Sequence, residues 1–199
     1  MIKQAIAIVL LVGSSVFAAA DIGQYRNRPA DWFSTDEGKQ VVGNIISWQN
    51  ANGGWWKAYD PAKPRPEHIA PSTEPNQIPG DDVDSWHRTS TIDNSATYSE
   101  LRVLARAVTV TKRDDAKQSF ERGLKFLFEA QYPTGGWPQR FPIENNYGRY
   151  VTFNDNAMLG VMLLLRDIFT KQEDFAFVDD ATREKSKAAF DHGVEYIVK

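Results

Sequence analysis

One pattern occurs twice in the chain and limits what it can fold into. Gln49-x-x-x-Gly53-Gly54-Trp55 returns as Gln131-x-x-x-Gly135-Gly136-Trp137. Each copy closes a stretch with helical periodicity. Ser34-Thr35-Asp36-Glu37 reads as a capping box that opens the first, with Val41, Val42, Ile45 and Ile46 on one face. Phe120, Leu124, Leu127, Phe128 and Gln131 share a face in the second. A third copy starts near Lys187, where KAAFDHGVEYI matches KQSFERGLKFL (Lys117 to Leu127). Between the copies, helices are predicted from about Asn94 to Val108 and from about Asp155 to Phe169. The second, NAMLGVMLLLRDIF, is apolar nearly all round, as in a helix buried on several sides.

Repeats of this kind stack so that each unit buries its neighbour's apolar face. The predicted fold is all-α, an α/α toroid of repeated helical hairpins whose inner helices form the wall. No β-ladder is expected. In each Gly-Gly-Trp turn a glycine is expected to end the outer helix in a left-handed conformation, with Trp55 and Trp137 as core. The third outer helix reaches Lys199 without a Gly or Pro terminator, so the ring is expected to be incomplete and the chain a fragment.

The first 20 residues read as a secretory signal peptide: Lys3, an apolar run from Ala5 to Phe17, then Ala18-Ala19-Ala20. Residues 21–199 are expected to form a single further unit, an incomplete toroid. Export implies a secreted or periplasmic location without stable membrane association once the signal is removed. Of 23 Lys and Arg, loss of Lys3 leaves 22 against 26 acidic side chains, a net charge of −4. An acidic domain has no electrostatic footprint for nucleic acid, and it repels a polyanion unless a cation stands between them. The chain has no cysteine, so disulfides and thiolate metal sites are excluded.

Both inner helices start alike. Ser90 to Thr97 reads STIDNSAT and Val151 to Met158 reads VTFNDNAM, each placing Thr, an apolar residue, then Asp and Asn in either order. In a toroid the pairs Asp93-Asn94 and Asn154-Asp155 gather at one mouth, where two carboxylates and two carboxamides offer the hard oxygen ligands that calcium prefers. Asp and Asn are also preferred helix N-caps, so capping and cation binding both stand as readings. Arg88 and Arg149 flank the site, and either fork could take a carboxylate. His87 could be a base or a ligand, although a lone His next to Trp86 reads more readily as a surface or packing residue. A long loop from Lys57 to Thr89 carries most of the prolines.

STIDNSAT, EAQYPTGGWPQRFP (Glu129 to Pro142) and VTFNDNAM, in this order, resemble the α/α-toroid pectate lyases of polysaccharide lyase family ten. The resemblance runs from about Asp36 to Lys199. It implies β-elimination cleavage of polygalacturonate (pectate), with calcium as cofactor. Asp93 and Asp155 would be the metal ligands; Asn94, Asn154 and Arg149 are assigned to substrate. The family's base is an arginine lying beyond the part that corresponds to Lys199. No catalytic base is assigned here, and the chain alone is expected to be inactive. Two positions depart from the family pattern: Arg149-Tyr150 stands where a small residue and His are frequent, and Ser95 where Gly is common.

Two other classes fit the same residues, an α/α-toroid glycoside hydrolase using a carboxylate pair and a non-catalytic carbohydrate-binding toroid. Processing after Ala20 would leave Asp21 as the mature N-terminus, which N-terminal sequencing of the exported protein checks.

Overall fold

The computed structural model describes residues 22–71 and 83–199. The expected leader and residues 72–82 of the Pro-rich loop lie outside the described residues. Among the described residues no helix is long and apolar enough to cross a membrane.

A short α1 (Gly23–Arg26) precedes α2 (Asp36–Ser47), α3 (Tyr98–Thr111), α4 (Asp114–Ala130), α5 (Ala157–Phe169) and α6 (Asp180–Val198). Helix α3 packs on α4 and α5 on α6, while α2 leans on both α3 and α4, and α3 touches α5. This is the predicted alternation of outer helices (α2, α4, α6) and inner ones (α3, α5) in an all-α fold. Residues 98–105 of α3 are all buried, polar ones included. The Arg102 guanidinium meets Asp167 at 2.8 Å and ties the two inner helices together. On α5, Met158, Val161, Leu164, Leu165 and Ile168 are buried, but Leu159 stays 46% exposed, so one strip of this helix is uncovered.

The repeated signature explains how one hairpin is fixed to the next. The Trp55 indole donates to the Ile45 carbonyl at 2.8 Å, and the Trp137 indole to Leu127 at 2.8 Å. Each bond reaches ten residues back into the preceding outer helix. Gln49 Nε2 donates to Gly53 O at 2.8 Å and to Ser119 O of the next outer helix at 2.8 Å. Gln131 repeats this with Gly135 O at 2.9 Å and Ala189 O at 2.8 Å. The glycines make the approach possible. Gly53 has φ +95°, and a Cβ there would lie 2.3 Å from the Arg122 carbonyl oxygen; for Gly135, φ is +100° and the His192 oxygen would be at 2.1 Å.

Several local details differ from expectation. Thr35, not Ser34, caps α2 by accepting from Gly38 N at 3.1 Å, while Glu37 accepts the Trp32 indole at 3.1 Å instead of closing a capping box. The left-handed glycines lie in the turns after α2 and α4, not at the helix ends. The inner helices begin later than predicted, because Asp93–Ser95 and Asn154–Asn156 are separate short 3-10 turns. A short ladder also exists: β1 (Ser90–Thr91) pairs antiparallel with β2 (Arg140–Phe141), joining Ser90 to Phe141 and Thr91 to Arg140.

Gly53→Ala is expected to lower stability by about 3 kcal/mol through left-handed strain plus overlap. Gly43→Ala is the control, since its Cβ would meet only the Arg113 side chain at 4.0 Å, and helix propensity predicts a small gain. Urea denaturation midpoints compare the two.

Candidate active site

The two turns that carry Asp93-Asn94 and Asn154-Asp155 are built alike, each an ST turn on a threonine hydroxyl. Thr91 Oγ1 accepts from the Asp93 amide at 3.1 Å, and Thr152 Oγ1 from the Asn154 amide at 3.2 Å. The next residue is left-handed in both: Asn94 (φ 47°, ψ 43°) and Asp155 (φ 52°, ψ 30°). Asn and Asp tolerate this region better than other non-glycine residues, which accounts for their recurrence. Ser95 (φ 67°) and Asn156 (φ 57°) continue the left-handed path. None of these side chains caps the helix that follows.

The pairs are therefore equivalent, but the two acids within them are not. Asp93 corresponds to Asn154, and Asp155 to Asn94. Asp93 is buried, whereas Asn94, Asn154 and Asp155 are exposed. The turns pack against one another. Tyr98 joins them, donating to Ser95 Oγ at 3.1 Å and approaching the Asp155 carbonyl at 3.5 Å. Burial raises the Tyr98 pKa above its usual value, so the phenol remains a donor at neutral pH.

Lys57, unassigned by sequence reasoning, forms an ion pair with Asp93 through Oδ2. The other oxygen, Oδ1, is buried without a hydrogen-bond partner. No described side chain bonds the Asp155 carboxylate, which faces solvent. Among the described residues no group of three or more His, Cys, Asp and Glu side chains gathers as a metal cage. One unpartnered carboxylate oxygen and a second, exposed carboxylate on a packed turn suit a hard cation that still needs ligands from elsewhere.

Arg140 was also missed. Its segment lies between the two turns, pairing with Ser90 and Thr91 on one side and, through Pro138 and Gln139, with Val151 and Tyr150 on the other. The available signal was a basic residue two or three positions after each Gly-Gly-Trp: Lys57 and Arg140. Arg149 is exposed and occupied locally, donating to Asn145 Oδ1 at 2.8 Å and the Tyr150 hydroxyl at 2.9 Å. Arg88 donates to the His68 carbonyl at 2.9 Å, and His87 packs its ring against Trp48. The described part of the loop is clasped by Arg65, which donates to the carbonyls of Ile69, Trp48 and His87 and to Asn50 Oδ1. Burial, with Arg88 nearby, lowers the Arg65 pKa to about 10.

The pectic acid lyase family profile matches residues 49–199, which contain every element of this site. The chain belongs to that family. It is also similar to the family 10 polysaccharide lyase from Cellvibrio cellulosa, with 26% identity and a TM-score of 0.67. That match covers 89% of this chain and 48% of the other. A mutant of the Cellvibrio enzyme in complex with trigalacturonic acid matches at 26% identity and a TM-score of 0.68, covering 88% and 51%. The chain thus spans about half the length of these relatives. No curated protein matches it.

Lys57→Met strands a buried carboxylate. A loss of about 2–3 kcal/mol is expected, at the low end for a buried pair because the Lys57 side chain is 25% exposed. Adding Asp93→Asn should recover most of it, as read in a double-mutant cycle of urea unfolding.

Proposed function

We propose that this chain is the cation- and uronate-binding part of a calcium-dependent pectate lyase that cleaves polygalacturonate by β-elimination. The observation that carries the reading is the packing of the two ST turns, one holding a buried carboxylate oxygen with no partner and the other an exposed acid. Family membership and the uronate ligand of the mutant relative support the choice of substrate.

Asp93 Oδ1 and the Asp155 carboxylate would hold calcium. Lys57 pairs with the second Asp93 oxygen and offsets its charge. The exposed carboxamides of Asn94 and Asn154 lie beside the acids in sequence and would orient sugar hydroxyls. Arg149 would reach a uronate carboxylate by releasing Asn145, since its ring and amide partners are surface groups. Calcium, when bound, neutralises a uronate carboxylate and makes the adjacent C5 proton more acidic. Removal of that proton is assigned to no residue of this chain. Its share of the chemistry is binding, orientation and charge neutralisation. The leader-like first 20 residues support action outside the cytoplasm, in the periplasm or beyond it.

Titration calorimetry tests this reading. Calcium is expected to bind about tenfold or more tightly when trigalacturonic acid is present, a coupling within the usual range. Asp155→Asn keeps a residue that tolerates the left-handed turn and should abolish that enhancement with little change in unfolding midpoint. Calcium binding indifferent both to the sugar and to this substitution would sink the proposal. Bound polygalacturonate should remain uncleaved by the chain alone, with no rise in the absorbance of a 4,5-unsaturated uronate.

A further inference from the structure

Among the described residues three arginines are buried and Arg65 is half-buried, and one of the four differs from the rest. Arg102 has Asp167 at 2.8 Å. Arg183 donates to the carbonyls of Ile168, Phe175 and Ala176. Arg65 has four oxygen acceptors. Arg140 is 9% exposed, yet among the described residues it has no carboxylate and no carbonyl partner. Its one acceptor is the Tyr147 hydroxyl, and its Nε, like that of Arg183, is buried with no acceptor. Around the guanidinium stand Trp86, Trp56 and Tyr147, with ring centres at 4.7, 5.4 and 4.6 Å. Ring faces offset only part of the cost of removing a guanidinium from water.

We propose that Arg140, with Trp56, Trp86 and Tyr147, is a second carboxylate-binding subsite that takes a uronate unit neighbouring the one held at Asp93. The proposal rests on the pectate reading above and adds a specificity-determining residue to it. Arg140 stands opposite Thr91, two positions before Asp93, so the subsite adjoins the turn that carries Asp93. A guanidinium presents parallel donors matched to a planar carboxylate, which is stronger and more selective than a point charge. The rings of Trp56 and Trp86, 5.4 Å apart and inclined by 34°, offer flat apolar walls against which a pyranose ring can rest. Tyr147 is 62% exposed, so its ring can yield the guanidinium to a ligand without disturbing the core. Asp93 pairs with Lys57 and not with Arg140. A subsite of this kind favours the free acid over its methyl ester, which cannot carry the opposite charge.

Tryptophan emission of the chain provides the test, because two indoles lie against the proposed ligand. Trigalacturonic acid and its fully methyl-esterified form are titrated separately, with EDTA present to remove divalent cations. The acid is expected to change the emission saturably and to bind more tightly than the ester. Arg140→Gln should weaken the acid by about tenfold or more, the usual worth of a charge-assisted bond, and leave the ester unaffected. Arg140→Lys should fall between. Equal affinity of the unsubstituted chain for acid and ester overturns the proposal, and so does an Arg140→Gln chain that binds the acid like its parent. The two readings fail separately. If the calcium site is wrong, the acid preference in EDTA persists; if Arg140 is wrong, calcium-linked binding and its loss in Asp155→Asn persist.

Discussion

Everything in this fold depends on one close approach, the backbone of each Gly-Gly-Trp turn against the next outer helix. The gap at Gly53 and Gly135 is too small for any side chain. Gln49 and Gln131 turn that contact into directed bonds, each amide serving its own turn and the neighbouring helix at once. These bonds are buried or partly buried, where an unmade partner would be costly, so they fix register as well as strengthen it. The indoles of Trp55 and Trp137 then lock the turn to the helix it follows. One hairpin cannot complete this arrangement without the next.

The site is a product of the same geometry. After each buried Trp the chain runs straight past the segment that leads into the next inner helix, with Trp55 O accepting from Thr91 N at 2.9 Å and Gln139 N donating to Tyr150 O at 3.3 Å. Lys57 and Arg140 are thereby carried to the edge where the ST turns begin. Opposite charges meet at that edge because the repeat delivers them there from separate parts of the chain. The acids differ in role because one is buried on a lysine and the other faces solvent.

Much of this was legible in the sequence because its determinants are local. Gln, Gly and Trp act within ten residues of each other, so the turn and its buried indole could be read directly, as could the amphipathic outer helices. The Asx pairs were visible as residue types suited to a special backbone. Their offset was not drawn out, although aligning Thr91 with Thr152 sets Asp93 against Asn154. Lys57 escaped because its partner lies 36 residues away across a loop of no regular pattern. Arg140 escaped because two-residue strands have no periodicity to read. The capping box at Ser34 to Glu37 was off by one residue because Trp32 drew Glu37 away from the backbone.

The fixed reach of the indole bond governs where such a chain can grow. Both Trp side chains span the same ten positions, so an insertion between an outer helix and its tryptophan would pull the pin out of its socket. No such rule holds on the far side. Trp55 is followed by 35 residues before Thr91, but Trp137 by only 14 before Thr152. Length variation is thus confined to the segments that frame the mouth, leaving each hairpin's pitch untouched while the rim is free to be resculpted.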